Sequence, residues 1–209
     1  MNRFLQLTVF LLCVLLLFPA AVYADQGEFD AFLRELRGQL VIPDAGGKIT
    51  SFSSFEDTLT NMGSYEWFPF AASSNFVFSA HVDWLSASQS PNGAVAGCGL
   101  VFGADAAANN HILASLRMDG NLYVTGMKNY GRLSYAKTFI SNPSMSGSAD
   151  LRVVLNGGHL TIYLNGQKIE PSYNVAVMGE DIGFAVLSGT NKDFGTRCTW
   201  NDIFLYTWE

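Results

Sequence analysis

Charged side chains are scarce: Asp, Glu, Lys and Arg make up 14% of the 209 residues, and no basic run exceeds two residues. The 18 acidic and 12 basic residues leave a formal net charge of −6, so nucleic acid and anionic membrane surfaces are poor partners. Cysteine is scarcer still, with only Cys13, Cys98 and Cys198. Metal ligands are thin as well. Two cysteines outside the N-terminal apolar run cannot build a structural zinc site, and His81, His111 and His159 lack any tight ligand spacing. Nor is Gly97-Cys98-Gly99 a phosphate loop, because no helix pattern and no Gly-Lys-Ser/Thr follows it.

One long hydrophobic run is present, at the N-terminus. Arg3, the apolar stretch Phe4 to Phe18, Pro19 and the ending Val22-Tyr23-Ala24 read as a signal peptide over 1–24, cleaved after Ala24. The rival is an uncleaved membrane anchor, since Phe4 to Val22 approaches the roughly 20 residues that cross a bilayer. Pro19, Ala20, Ala21 and the switch to Asp25-Gln26-Gly27-Glu28 favour cleavage. Cys13 lies inside the apolar run and reads as a small hydrophobe, not as a lipid-bearing cysteine. Removing 24 of the 209 residues leaves 185, the size of one domain with a substantial core, and losing Arg3 shifts the net charge to −7. Such a chain is expected outside the cell or on its surface, with no stable membrane anchor once the leader is gone.

The rest of the chain alternates. In LRVVLNGGHLTIYLNGQKI, residues 151–169, Leu151, Val153 and Leu155 share a face, Asn156-Gly157-Gly158 supplies a turn, and Leu160, Ile162 and Leu164 restore that face. Asn165-Gly166 turns the chain again. Residues 75–85 alternate likewise: Phe76, Phe78, Ala80, Val82 and Trp84 face inward, and Val77, Ser79, His81 and Asp83 outward. Residues 111–127 form two strands around Asp119-Gly120, with His111, Ser115, Arg117, Tyr123 and Thr125 outward. KITSFSSF reads as a first strand, YGRLSYAKTF as a further one, and SNPSMSGSA as a loop. Residues 57–75 read as a Gly/Ser/Asn-rich connection interrupted by YEWFPF, whose aromatics either pack on an edge or form an exposed platform. A hairpin with one apolar face needs a second layer to cover it. The prediction is therefore an all-β, two-sheet antiparallel sandwich over 48–209, preceded over 25–47 by a linker and a short amphipathic helix. That helix places Phe29, Phe32, Leu33 and Leu36 on one stripe, ends at Gly38 and caps the sandwich's open end. Cys98 and Cys198 are read as one disulfide, closing a loop worth about 4.7 kcal/mol on the chain-entropy model; the alternative is two separately buried thiols.

Several pieces in order carry a resemblance: Gly97 to Phe102, Leu160 to Gln167, Asp181 to Phe184, and Trp200 to Ile203. Together they resemble the concanavalin A-like lectin/glucanase superfamily, in particular its laminin G-like bacterial extracellular modules. The closing motif departs from the family, with Trp200-Asn201-Asp202 where Phe-Asp-Asn is usual. The resemblance implies a jelly-roll sandwich with one concave outer face, on which members bind glycans or proteins and some hydrolyse polysaccharides. It also leaves calcium open as a cofactor, since some relatives carry it and Asp105, Asp181, Asn191 and Asp193 lie in or near loops; no dedicated calcium-loop spacing is present.

The expected function is a noncatalytic binding module, most readily for carbohydrate, using outward residues of the sheets. These are His81, Asp83, His111, Arg117, Tyr123 and Tyr163, with Trp67 and Trp200 as stacking groups. The alternative is a glycoside hydrolase with an atypical carboxylate pair drawn from Glu66, Asp83 and Asp202, because the family's E-x-D-x-x-E strand is missing. A third reading is a structural or adhesive surface protein acting through YEWFPF. The partner is accordingly a glycan or an extracellular protein.

Overall fold

The computed structural model describes residues 26–105 and 109–209; the segment read as a leader, with its expected cleavage site, lies outside them. Thirteen antiparallel strands form two sheets, a jelly-roll sandwich preceded by one short helix. The strands are β1 (Lys48–Phe52), β2 (Phe55–Leu59), β3 (Tyr65–Ala72), β4 (Phe76–Ser86), β5 (Gly97–Asp105), β6 (Asn110–Arg117) and β7 (Asn121–Lys128). They continue as β8 (Gly131–Phe139), β9 (Ser146–Asn156), β10 (His159–Leu164), β11 (Gln167–Asn174), β12 (Asp181–Leu187) and β13 (Thr196–Thr207). The seven-stranded sheet runs β1-β13-β4-β9-β10-β11, with β2 also paired to β13, and the six-stranded sheet runs β3-β12-β5-β6-β7-β8.

The hairpin of 151–169 forms in the expected register. Asn156 pairs with His159 around Gly157 and Gly158, whose φ values of 57° and 81° are those of a two-residue primed turn. Leu151, Val153, Leu155, Leu160 and Ile162 then face the core beside Phe76, Phe78, Ala80 and Val82 of β4 and Ile112, Ala114, Leu116, Leu122 and Val124 of the other sheet. Cys98 on β5 and Cys198 on β13 are fully buried and bonded, with Cα atoms 5.7 Å apart, so one covalent link joins the two sheets through the core.

Four local expectations change. KITSFSSF splits into β1 and the start of β2, which pair with the two halves of β13. YEWFPF is not an interruption in a connection but most of edge strand β3, with Phe68 and Phe70 packed on the core and Phe70 stacked on Phe184 at 4.2 Å. The loop read over 141–149 gives way to β9 at Ser146.

The helix is the fourth change. Helix α1 (Gln26–Gly38) buries Phe29, Phe32, Leu33 and Leu36 as its periodicity demands. It lies on the outer face of the seven-stranded sheet, not across an open end, against Val77, Val154, Tyr163, Tyr206 and Trp208. It ends at Gly38 as expected, and the chain beyond it closes the last turn. The amides of Leu40 and Val41 donate to the carbonyls of Arg37 and Leu36 at 2.9 Å each, with Leu40 at φ 58°, so a leucine takes the left-handed cap position.

A bulge in β13 fixes which side chains reach that face. Pairing with β4 is interrupted between Asn201 and Phe204, where Asp202 adopts φ 51°. The interruption shifts side-chain parity, so Cys198 and Trp200 before it and Ile203 and Leu205 after it all enter the core. Phe204, Tyr206 and Trp208 consequently turn outward beneath the helix.

Candidate binding groove on the six-stranded sheet

The residues expected to form one site divide among four environments. Trp200 is fully buried, 5.0 Å from the Phe184 ring, and has no surface to offer a ligand. Tyr163 does point outward, but Phe32 of the helix packs edge-on against it at 4.9 Å. His81 and Asp83 lie on the uncovered part of the seven-stranded sheet, whereas Trp67, His111, Arg117 and Tyr123 share the outer face of the six-stranded sheet.

On the first face, His81 Nδ1 lies 2.7 Å from Asp150 Oδ1 and its Nε2 lies 3.6 Å from Asp83. Asn201 donates to Asp83 Oδ2 at 3.3 Å. Burial disfavours the imidazolium, but the Asp150 hydrogen bond and the charges of Asp83, Asp150 and Asp202 outweigh it and raise the His81 pKa. Glu66 is on β3 in the other sheet, so the three acids proposed for hydrolysis come from both layers of the sandwich. Among the described residues, no three His, Cys, Asp or Glu side chains form a group able to hold a metal ion.

The second face carries a cavity of about 380 Å³. Leu113 and Leu187 are apolar parts of its lining. The turn at Gly63 and Ser64 forms one rim, pinned by the Gly63 amide donating to the Ser188 carbonyl at 2.8 Å. Thr125, Met127, Arg132, Leu133 and Ser134 of β7 and β8 form the opposite side. Tyr65 and His111 meet inside, with the hydroxyl 2.7 Å from Nε2. The pair bridges over β12 and β5, which lie between β3 and β6 in the sheet. Burial lowers the His111 pKa, favouring the neutral imidazole, and raises that of Tyr65 despite the opposing charge of Arg132.

Arg117 is held on three sides. Its Nε donates to Ser115 Oγ at 3.1 Å, Nη1 donates to the Ala94 carbonyl, and the guanidinium lies over the Tyr123 ring at 4.4 Å. Tyr123 in turn donates its hydroxyl to Asp119 Oδ2 at 2.7 Å. Burial pulls the Arg117 pKa down, against the raising influence of Tyr123 and Asp119. Trp67 extends this face toward the sheet edge, packing on a cluster of Val101, Ala104, Leu113, Ala185 and Leu187. Gly183 makes room for it: a Cβ there would stand 2.5 Å from the Trp67 ring. Of the polar lining residues, Tyr65 was legible in sequence only as one aromatic of YEWFPF, either packed on an edge or part of an exposed platform, and no signal pointed to Arg132.

No family model matches the chain, and no curated protein matches it in sequence. Solved structures do resemble it in fold. A carbohydrate binding module, CBM66 from Bacillus subtilis, superposes with a TM-score of 0.52 at 16% identity, covering 74% of this chain and 92% of that one. A fructosyltransferase from A. japonicus gives a TM-score of 0.53 at 17% identity, and a beta-fructofuranosidase from Aspergillus kawachii 0.52 at 16%. Each covers 83% of this chain, which spans only 28% and 29% of those enzymes respectively. At such identities the likeness establishes a shared β-sandwich fold and nothing finer.

Proposed function

We propose that this protein is a secreted, noncatalytic carbohydrate-binding module of concanavalin A-like type, with residues 1–24 its export leader and the outer face of the six-stranded sheet its binding surface. The observation that carries this reading is the groove itself. A cavity of about 380 Å³ combines an apolar floor with the inward-aimed polar groups of Tyr65, His111 and Arg117, beside the ring of Trp67. Sugar recognition calls for that combination: flat apolar surface for the C–H face of a pyranose or furanose, and fixed hydrogen-bonding groups for its hydroxyls. The fold neighbour CBM66, nearly all of which is matched, is named as a carbohydrate binding module and supports the same reading.

Calorimetry of the purified protein against a panel of neutral and acidic oligosaccharides tests it. Binding to at least one oligosaccharide, weakened about tenfold or more by His111→Ala or Tyr65→Phe, is expected from loss of one or two buried hydrogen bonds. No heat and no retention on any polysaccharide column would defeat the proposal.

A further inference from the structure

We infer that the groove selects sugars bearing an oxyanion, a carboxylate or a sulfate, over neutral ones; the inference rests on the carbohydrate reading above and narrows it. Its first ground is the charge of the lining. Arg117 and Arg132 both line the groove, and none of its described lining residues is an Asp or a Glu. This is a local inversion, because the whole chain has a formal net charge of −6. Lys137 lies next to it, with its ammonium 5.3 Å from the centre of the Tyr123 ring on which Arg117 also rests.

The second ground is how Arg117 is held. Its only described side-chain and main-chain acceptors are neutral, Ser115 Oγ and the Ala94 carbonyl. Asp119, whose charge acts on Arg117 from a distance, accepts from the Tyr123 hydroxyl at 2.7 Å and from the Asn121 amide at 3.2 Å, and forms no ion pair with Arg117 among the described residues. A partly buried guanidinium whose fork is fixed by stacking and neutral acceptors still has positive charge to satisfy. A planar carboxylate or a tetrahedral sulfate on a sugar ring satisfies it with charge-assisted bonds. Neutral His111 brings no competing charge, and its hydrogen bond to Tyr65 leaves a compact polar pair for ring hydroxyls. Salt bridges on exposed arginines are weak, so the held Arg117 sets specificity and the exposed Arg132 adds attraction.

The test is calorimetry on the full protein with five probes: a galacturonate oligosaccharide, the same oligosaccharide with its carboxyl groups reduced, a chondroitin sulfate oligosaccharide, its desulfated form, and poly-glutamate. The galacturonate probe or the chondroitin sulfate probe is expected to bind more tightly than the carboxyl-reduced probe by about tenfold or more, as one charge-assisted pair implies. Arg132→Gln and Arg117→Lys should each erode that preference, while Lys48→Gln, outside the groove, should not. Arg117→Lys keeps the charge but loses the fork, so it remains informative if Arg117→Gln fails to fold. Preference for the galacturonate probe assigns a carboxylate; preference for chondroitin sulfate, whose uronate also bears a carboxylate, assigns a sulfate when the desulfated chondroitin oligosaccharide binds less tightly and a carboxylate when it binds equally. Equal or tighter binding of the reduced probe, unaffected by Arg132→Gln, overturns the inference and leaves the carbohydrate reading intact. Equal binding of poly-glutamate marks an unselective cationic patch and also overturns it. If no sugar binds at all, both readings fall.

Discussion

The two outer faces of the sandwich start from the same alternation and end differently. On the seven-stranded sheet, Val77, Val154, Tyr163, Phe204, Tyr206 and Trp208 are sealed by α1, and the remainder is a polar network around His81. The six-stranded sheet has no helix over it among the described residues and keeps a groove with an apolar floor. Tyr163 and Tyr123 show what this means at single positions. Both point outward from their strands, yet one is packed under Phe32 while the other supports a guanidinium at the groove. Outward direction is a property of a strand, whereas availability depends on what the rest of the chain lays across it.

The contrast can be broken most forcefully at the covered face and in the core. Leu33→Ala empties a fully buried site between helix and sheet and should cost about 2–5 kcal/mol in urea unfolding, as should Trp200→Ala within the sandwich. Thr125→Ala on the groove wall should stay within about 0.5 kcal/mol. Equal effects at Leu33 and Thr125 would mean that the helix does not seal its face. Replacing Cys98 and Cys198 together by Ala should cost a further comparable amount, about 2–5 kcal/mol, read from the same denaturation midpoint. Gly183→Ala is expected to be milder, about 1–3 kcal/mol, because the added methyl meets the Trp67 ring and the Phe68 carbonyl. It should also shift the tryptophan fluorescence maximum, a change that Gly166→Ala at the exposed turn would not produce.

The smallest effect separates the faces by sign. His81 has a raised pKa, so its stabilising contribution is complete below the unfolded value of about 6.5 and fades as pH rises through the folded value. The His111 pKa is lowered by burial, so the native state loses stability as pH falls from about 6.5 toward the folded value. Relative to His81→Gln, the wild type should therefore gain on acidification. Relative to His111→Gln, it should lose. Urea midpoints at pH 5 and pH 8 for the three proteins check both slopes, and parallel slopes would contradict the opposed environments.

Much of this architecture was legible because it rests on local chemistry. The hairpin of 151–169, the alternation over 75–85, the amphipathic stripe of α1 and the Cys98–Cys198 pair all follow from spacing and turn residues, and all appear. Less legible were features set by partners distant in sequence. The Tyr65–His111 pair joins residues 46 apart on strands separated by two others, and nothing near either residue announces the other. Trp200 illustrates a different loss. Cys198, two residues before it, faces the core and by strand periodicity carries Trp200 inward, so local parity alone argues against the stacking role expected of it. The landing place of α1 depended on aromatic residues whose outward direction was hidden by the bulge at Asp202.

That bulge makes the end of the chain sensitive to a change in length where it is tolerant of changes in kind. Excising one residue at Asn201 or Asp202 would restore simple alternation and rotate every later side chain of β13 by half a turn. Phe204 and Tyr206 would be driven into space sized for Ile203 and Leu205, and the helix would face two aliphatic groups in place of its aromatic bed.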